Sequence, residues 1–209
     1  MYEKGKLMKH LTANYHTHTY RCGHARGADR DYVENAIRAG IRTLGFSDHS
    51  PMIFHSDYYS GFRMPLESVP DYFDSLLSLR EEYKSEIDIR IGVEVEYYPA
   101  LFEDYLRYMA QFPLDYMILG QHFILDEETG VSSFRPTADP EDLRRYYENV
   151  LAAAATGRFL YIAHPDVLNY NGDADAYNTL TAEFLEKIKP CGIPLELNRL
   201  GFADGRHYP

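Results

Sequence analysis

Short apolar runs alternate with longer amphipathic stretches along almost the whole chain, and this alternation limits the possible fold more than any other feature of the 209 residues. Residues 11–19, 42–51, 87–99, 115–124, 158–166 and 193–201 read as strands, each short, rich in β-branched or aromatic residues and ending in polar ones. Residues 29–40, 69–86, 105–112, 139–157 and 173–190 carry apolar residues at helical spacing. The clearest helix start is Asp139 as N-cap, with Pro140 in the first turn and acidic residues after it. About six β–α units in succession predict a parallel sheet, as an open doubly wound sheet or a (β/α) barrel. No GxGxxG follows the first strand, which speaks against a dinucleotide-binding fold. No Pro/Gly/Ser-rich linker divides the chain, so one domain over residues 1–209 is expected.

The formal charge of -11 disfavours unspecific binding to nucleic acid or to an anionic membrane, because an acidic surface repels phosphate backbones. A small phosphorylated substrate remains compatible, since a few cations in a cleft reverse the local field. Cys22 and Cys191 are the only cysteines and neither belongs to a CxxC, which removes zinc-finger and thioredoxin readings. The N-terminus has no apolar signal region and no run approaches the roughly 20 apolar residues of a spanning helix. A cytoplasmic protein is expected.

Histidines and acids cluster at the predicted strand ends. His16 and His18 close the first strand, His24 follows shortly after, and His49 closes the second. Glu94 and Glu96 close the third, His122 the fourth and His164 the fifth. In a (β/α) barrel these ends share one face, where active sites are built. His-x-His on a strand sends both rings to one side, because side chains alternate with period two. Neutral imidazoles with carboxylate oxygen form an N/O site suited to zinc, manganese or iron. Two such metals bridged by a carboxylate suit phosphate-ester hydrolysis.

Isolated histidines have a blander reading, and His10, His55 and His207 are assigned to it. Asp48 and Asp166 are either carboxylates that orient an imidazole or turn residues. Glu96 is either a further ligand or a solvated partner of an arginine. The loop 54–65 is a lid or a segment packed on the rim. Arg63 within it, and Arg199 after the sixth strand, are candidate phosphate clamps, because a guanidinium grips phosphate bidentately.

The segments HTHTYRCGH, GFSDHSP, GVEVEYYP, GQHFI, AHPDVL and ELNRLGF resemble, in order, the motifs of the PHP (polymerase and histidinol phosphatase) superfamily, and within it the monofunctional histidinol-phosphatases. The resemblance implies a distorted (β/α)7 barrel with two to three divalent metal ions. It implies His16, His18 and Glu94 at a first metal. Glu94 would bridge to a second, held also by His122 and His164, while His24 and His49 would serve a third. It implies a hydrolase in histidine biosynthesis that turns L-histidinol phosphate into L-histidinol and phosphate through the metal pair at Glu94 and His164. The family's last Asp-x-His motif is not matched: Asp204 and His207 stand in another context, so the last β–α segment is expected to be missing. Other expectations to be weighed are a PHP phosphoesterase acting on nucleotides or nucleic-acid ends, and a non-catalytic metal-binding module. An amidohydrolase would want a lysine at a strand end, and there is none.

Overall fold

In the computed structural model, which describes residues 11–197, every predicted helix forms and the predicted strands are shorter than their apolar runs. The chain divides into two compact units, residues 1–51 with 61–92 and residues 52–60 with 93–209.

In the first unit β1 (Ala13–Asn14) lies parallel to β2 (Thr43–His49), with Ala13 opposite Thr43 and Asn14 opposite Leu44. The other side of β2 is taken by the start of β3 (Asp88–Val95). From Leu44 onward β2 is buried at every residue, as expected for a parallel strand covered on both faces. Two helices of this unit, α1 (Asp29–Arg38) and α2 (Val69–Glu82), pack against each other, and the Tyr32 ring of α1 meets Phe46 of β2 at 6.4 Å. Val33, Phe46, Tyr72, Leu76 and Ile91 are completely buried. The Tyr72 hydroxyl donates to the Gly92 carbonyl at 2.7 Å, so its burial leaves no polar group unsatisfied. Gly40 ends α1 in the left-handed conformation (φ 77°), where the next residue, Ile41, bonds back to Ala36 at 3.0 Å.

The expected first strand, residues 11–19, is a strand only at Ala13–Asn14. The Asn14 side chain accepts from the backbone N–H of His16 at 3.0 Å, a local bond that competes with the ladder. The segment nevertheless keeps to β2: Ser47 N–H donates to the Thr17 carbonyl at 2.8 Å, and Thr17 N–H donates to Ser47 Oγ at 3.2 Å.

The second unit takes up the end of β3, then α3 (Phe102–Met109), β4 (Tyr116–Leu119), α4 (Pro140–Ala155) and α5 (Ala174–Ile188). Beyond β4 the parallel pairing continues from Leu119 to Ile162 and from Ile162 to Leu195. The expected strands 158–166 and 193–201 are present as these bridged positions, with residues 198–201 outside the described region. The first is cut short because His164 takes a positive φ of 29° and the next residue is Pro165, which has no N–H to donate. Asp139 caps α4 as predicted, accepting from Glu141 N–H at 2.9 Å. Tyr147 of α4 stacks on Phe184 of α5 at 4.3 Å, which locks these helices together. No helix among the described residues is long and apolar enough to cross a membrane.

Candidate metal centre

Each unit gathers its own cluster of ligand-type side chains. In the first, four imidazoles meet: the His18 ring lies 5.2 Å from His16, 4.5 Å from His49 and 6.1 Å from His24, and His24 lies 4.5 Å from His49. His49 is buried at the end of β2. His24 follows a single 3-10 turn (Tyr20–Cys22) that Gly23 closes at φ 76°. His24 Nδ1 lies 2.8 Å from the Cys22 carbonyl. A carbonyl only accepts, so Nδ1 is the donor here, and in the neutral ring Nε2 is then the nitrogen free to bind a metal.

The loop that carries His18 and His24 is held from beneath. Asp48, with no exposure, accepts from both the N–H and the hydroxyl of Thr19. Asp48 therefore fixes the loop carrying His18, a role the sequence left open between imidazole partner and turn residue. Burial pushes its carboxyl pKa up, and the bonds from Thr19 counter that rise. Arg21 is buried and donates to Asp29 at 2.9 and 3.0 Å and to Asp71 at 2.8 Å. Cys22 Sγ lies 3.5 Å from His18 Nδ1. Burial, assisted by the Asp48 charge, pushes this thiol up to about 12.

Two aromatic contacts close the cluster. Phe62 lies 4.4 Å from the His49 ring and 5.1 Å from His24. Its neighbour Arg63 is buried and donates to the Ser50 carbonyl at 3.2 Å. The guanidinium proposed as a phosphate clamp thus sits beside the end of β2. Arg199, with His10, Asp204 and His207, lies outside the described residues.

In the second unit Glu94, His122 and His164 bring ligand atoms within 4.8 Å of one another. His164 Nε2 is 2.8 Å and His122 Nε2 3.5 Å from the same oxygen, Glu94 Oε1. Glu94 has no exposure. Glu96, two residues on and equally buried, accepts from His122 Nδ1 at 2.6 Å. This excludes the solvated reading of Glu96: it fixes the His122 tautomer and leaves Nε2 facing Glu94. His164 continues the chain just after the bridged Ile162, and His122 follows β4 by three residues.

Gly120 makes this packing possible. A Cβ there would stand 1.9 Å from Glu94 Oε1. The first half of the loop 54–65 belongs to this unit and is pinned: Ser60 and Tyr58 hydroxyls bond Glu127, and Ser56 Oγ donates to Glu128 at 2.9 Å. His55 is exposed and pairs with Asp104 at 2.7 Å, in keeping with its assignment outside the metal group. Half-buried Asp166 adds its charge to the surroundings of Tyr146, whose hydroxyl is held well above its usual pKa, chiefly by burial.

Phe62, Gly120 and Glu196 escaped the sequence reading. A lone aromatic, a lone glycine and a lone acid carry no periodicity; only the GQH context of Gly120 hinted at a tight approach.

The PHP domain profile matches residues 14–200. A probable histidinol-phosphatase of Deinococcus radiodurans is 30% identical over 191 residues, covering 90% of this chain and 73% of its own. The histidinol-phosphatase of Bacillus subtilis is 27% identical over 115 residues, 52% of this chain and 43% of its own, so the match spans less than half of that relative. Among solved structures, the histidinol phosphate phosphatase of Lactococcus lactis, in complex with zinc, L-histidinol and phosphate, superposes with a TM-score of 0.71 at 21% identity, over 93% of this chain and 75% of its own. The parallel α/β fold is therefore similar to that of a histidinol phosphatase.

Proposed function

We propose, for a chain that belongs to the PHP domain family, that it is a metal-dependent phosphomonoesterase which hydrolyses L-histidinol phosphate to L-histidinol and phosphate. The observation that carries this reading is the convergence of buried Glu94 and His122 with half-buried His164, their ligand atoms within 4.8 Å. The donor set fits a divalent cation: imidazole nitrogen and carboxylate oxygen are the ligands of zinc, manganese and iron sites. Two neutral-tautomer contacts, Glu96 on His122 and the Cys22 carbonyl on His24, support the fit, because each turns a ring nitrogen's lone pair outward.

His16 and His18 are assigned to a first ion. Glu94, His122 and His164 are assigned to a second, and His24 and His49 to a third. Bound divalent ions supply Lewis-acid charge for the phosphoryl oxygens and a water of lowered pKa. The residues of the chain hold that charge in place. Glu94 lies in a buried, low-dielectric setting where its negative charge counts most. Arg63 and Arg199 are assigned to the phosphate, their planar forks matching its oxygens. The relative from Lactococcus lactis that holds zinc, L-histidinol and phosphate supports the choice of substrate and of metal.

The same reading has this PHP-family chain acting in the cytoplasm in histidine biosynthesis. The decisive experiment loads the purified chain with zinc or manganese, measures bound metal, and follows phosphate release from L-histidinol phosphate beside a panel of nucleotides and other phosphomonoesters. Release from histidinol phosphate well above the panel is expected. A metal-loaded chain that releases none overturns the reading, and a preference for nucleotides moves it to another phosphoesterase of the family.

A further inference from the structure

His164 is, among the described residues, the one non-glycine residue with positive φ, at 29°. Such a backbone is uncommon for any side chain, although histidine tolerates it better than most. The position is doubly awkward because Pro165 follows, and a residue before proline is pushed towards extended conformations. A strained backbone of this kind persists only where its surroundings enforce it. The enforcing contact is visible: His164 N–H donates to Glu196 Oε2 at 3.0 Å.

Glu196 is itself well anchored. Its N–H donates to the Ile162 carbonyl at 2.8 Å, and Ile162 N–H donates to the Pro194 carbonyl at 3.0 Å. Leu195, the residue before it, is bridged in parallel to Ile162. The carboxylate therefore reaches across one parallel rung to seize the N–H that the ladder no longer uses once the chain turns at His164. A charged acceptor on a backbone N–H is about twice as strong as a neutral one. The turn aims the imidazole so that Nε2 comes within 2.8 Å of Glu94 Oε1.

We infer that Glu196 is a positioning residue for the metal centre: it holds the His164 backbone in its left-handed conformation and thereby sets His164 Nε2 against Glu94. The inference rests on the metal-site reading above and adds to it a residue outside the ligand set. It separates the carboxylate's two possible actions, as hydrogen-bond acceptor and as charge. Glutamine keeps the acceptor oxygen at the same reach, aspartate keeps the charge but withdraws it by one methylene, and alanine removes both.

The test compares wild type with Glu196→Gln, Glu196→Asp and Glu196→Ala. Metal affinity is measured by chelator competition, and the cobalt-substituted protein gives a visible spectrum that reports ligand geometry independently of turnover. In Glu196→Ala and Glu196→Asp, affinity at the Glu94–His122–His164 ion should fall about 10- to 100-fold, as for other outer-shell partners, with an altered cobalt spectrum. Glu196→Gln should stay within about threefold of wild type with its spectrum preserved. Wild-type affinity in Glu196→Asp or Glu196→Ala overturns the inference, and so does a Glu196→Gln as weak as Glu196→Ala. If Glu196→Ala does not fold, the Asp and Gln pair decides alone. A wild type that binds metal but hydrolyses no histidinol phosphate refutes the substrate assignment and leaves this comparison intact.

Discussion

Nδ1 of His122 lies 2.6 Å from Oε1 of Glu96, and both side chains are almost wholly buried. The pair explains why the GVEVE stretch carries two acids on one strand face: the first, Glu94, meets two imidazoles, and the second, Glu96, orients one of them. Period two places both carboxylates on the same side of β3. Glu96→Ala should remove the acceptor that fixes the His122 tautomer, and metal affinity should drop about 10- to 100-fold. Calorimetric titration of the apo-protein with zinc checks this. Unchanged affinity would show that the Glu96 contact does not prepare His122 for a metal.

Gly120 offers a sharper probe, since its hydrogen faces the Glu94 side chain. A Cβ would come within 1.9 Å of Oε1, 2.5 Å of Cδ and 2.6 Å of Cγ of Glu94. The atoms in the way belong to one side chain, so Gly120→Ala should swing Glu94 aside rather than unfold the protein. The expected outcome is a modest loss of stability, about 1–3 kcal/mol, with loss of most bound metal. Metal analysis alongside a denaturant melt distinguishes the two; a variant with full metal content would mean that Glu94 has another rotamer that still serves.

The parts of the fold legible in the sequence are those written by repetition. Helices declared themselves by apolar spacing and, for α4, by the Asp139–Pro140 start, and all five formed. Strand extents were less legible, because β propensity says nothing about where a ladder is interrupted. Asn14 interrupts the first with a side-chain bond, and His164 the fifth with a left-handed turn. The ligand-type residues were legible because histidines recur at successive strand ends. What supports them was less so: Arg21, Gly120 and Glu196 act through tertiary contacts that leave no periodic trace, and Asp48 could be read only as an imidazole partner or a turn residue.

Arg21 shows how much such support weighs. Its side chain is 3% exposed and that of Asp29 4%, and the two are joined at 2.9 Å. Ser75 Oγ adds a hydrogen bond to Asp29 at 2.6 Å. Removing Asp29 takes away the buried partner of Arg21 and leaves only the largely exposed Asp71 carboxylate to pair with it, at a cost of about 1.5–3 kcal/mol. Asp29→Ala should therefore lower the denaturation midpoint strongly, whereas Asp71→Ala, whose side chain is 65% exposed, should change it by less than about 1 kcal/mol. Equal effects from the two variants would contradict this ranking.

Cys22 yields a prediction in which the sign of a pKa shift decides the outcome. Burial first, and the nearby Asp48 carboxylate second, push its thiol up to about 12. A thiol normally titrates near 8.5, so at pH 8 the folded protein holds only about one part in ten thousand as thiolate. Iodoacetamide at that pH should label exposed Cys191 and leave Cys22 untouched until denaturant is added, as peptide mass mapping will show. Because the folded value is raised, the stabilisation linked to the neutral thiol is complete below about pH 8.5 and declines as pH rises towards 12. Between pH 8.5 and 10 the slope contributed by this one group approaches about 1.4 kcal/mol per pH unit. Unfolding free energies measured across that interval should fall more steeply for wild type than for Cys22→Ala, even though the alanine variant starts from a lower stability. Parallel curves, or labelling of Cys22 in the native protein as fast as that of Cys191, would mean that the pocket formed by Thr19, His18 and Asp48 opens to solvent.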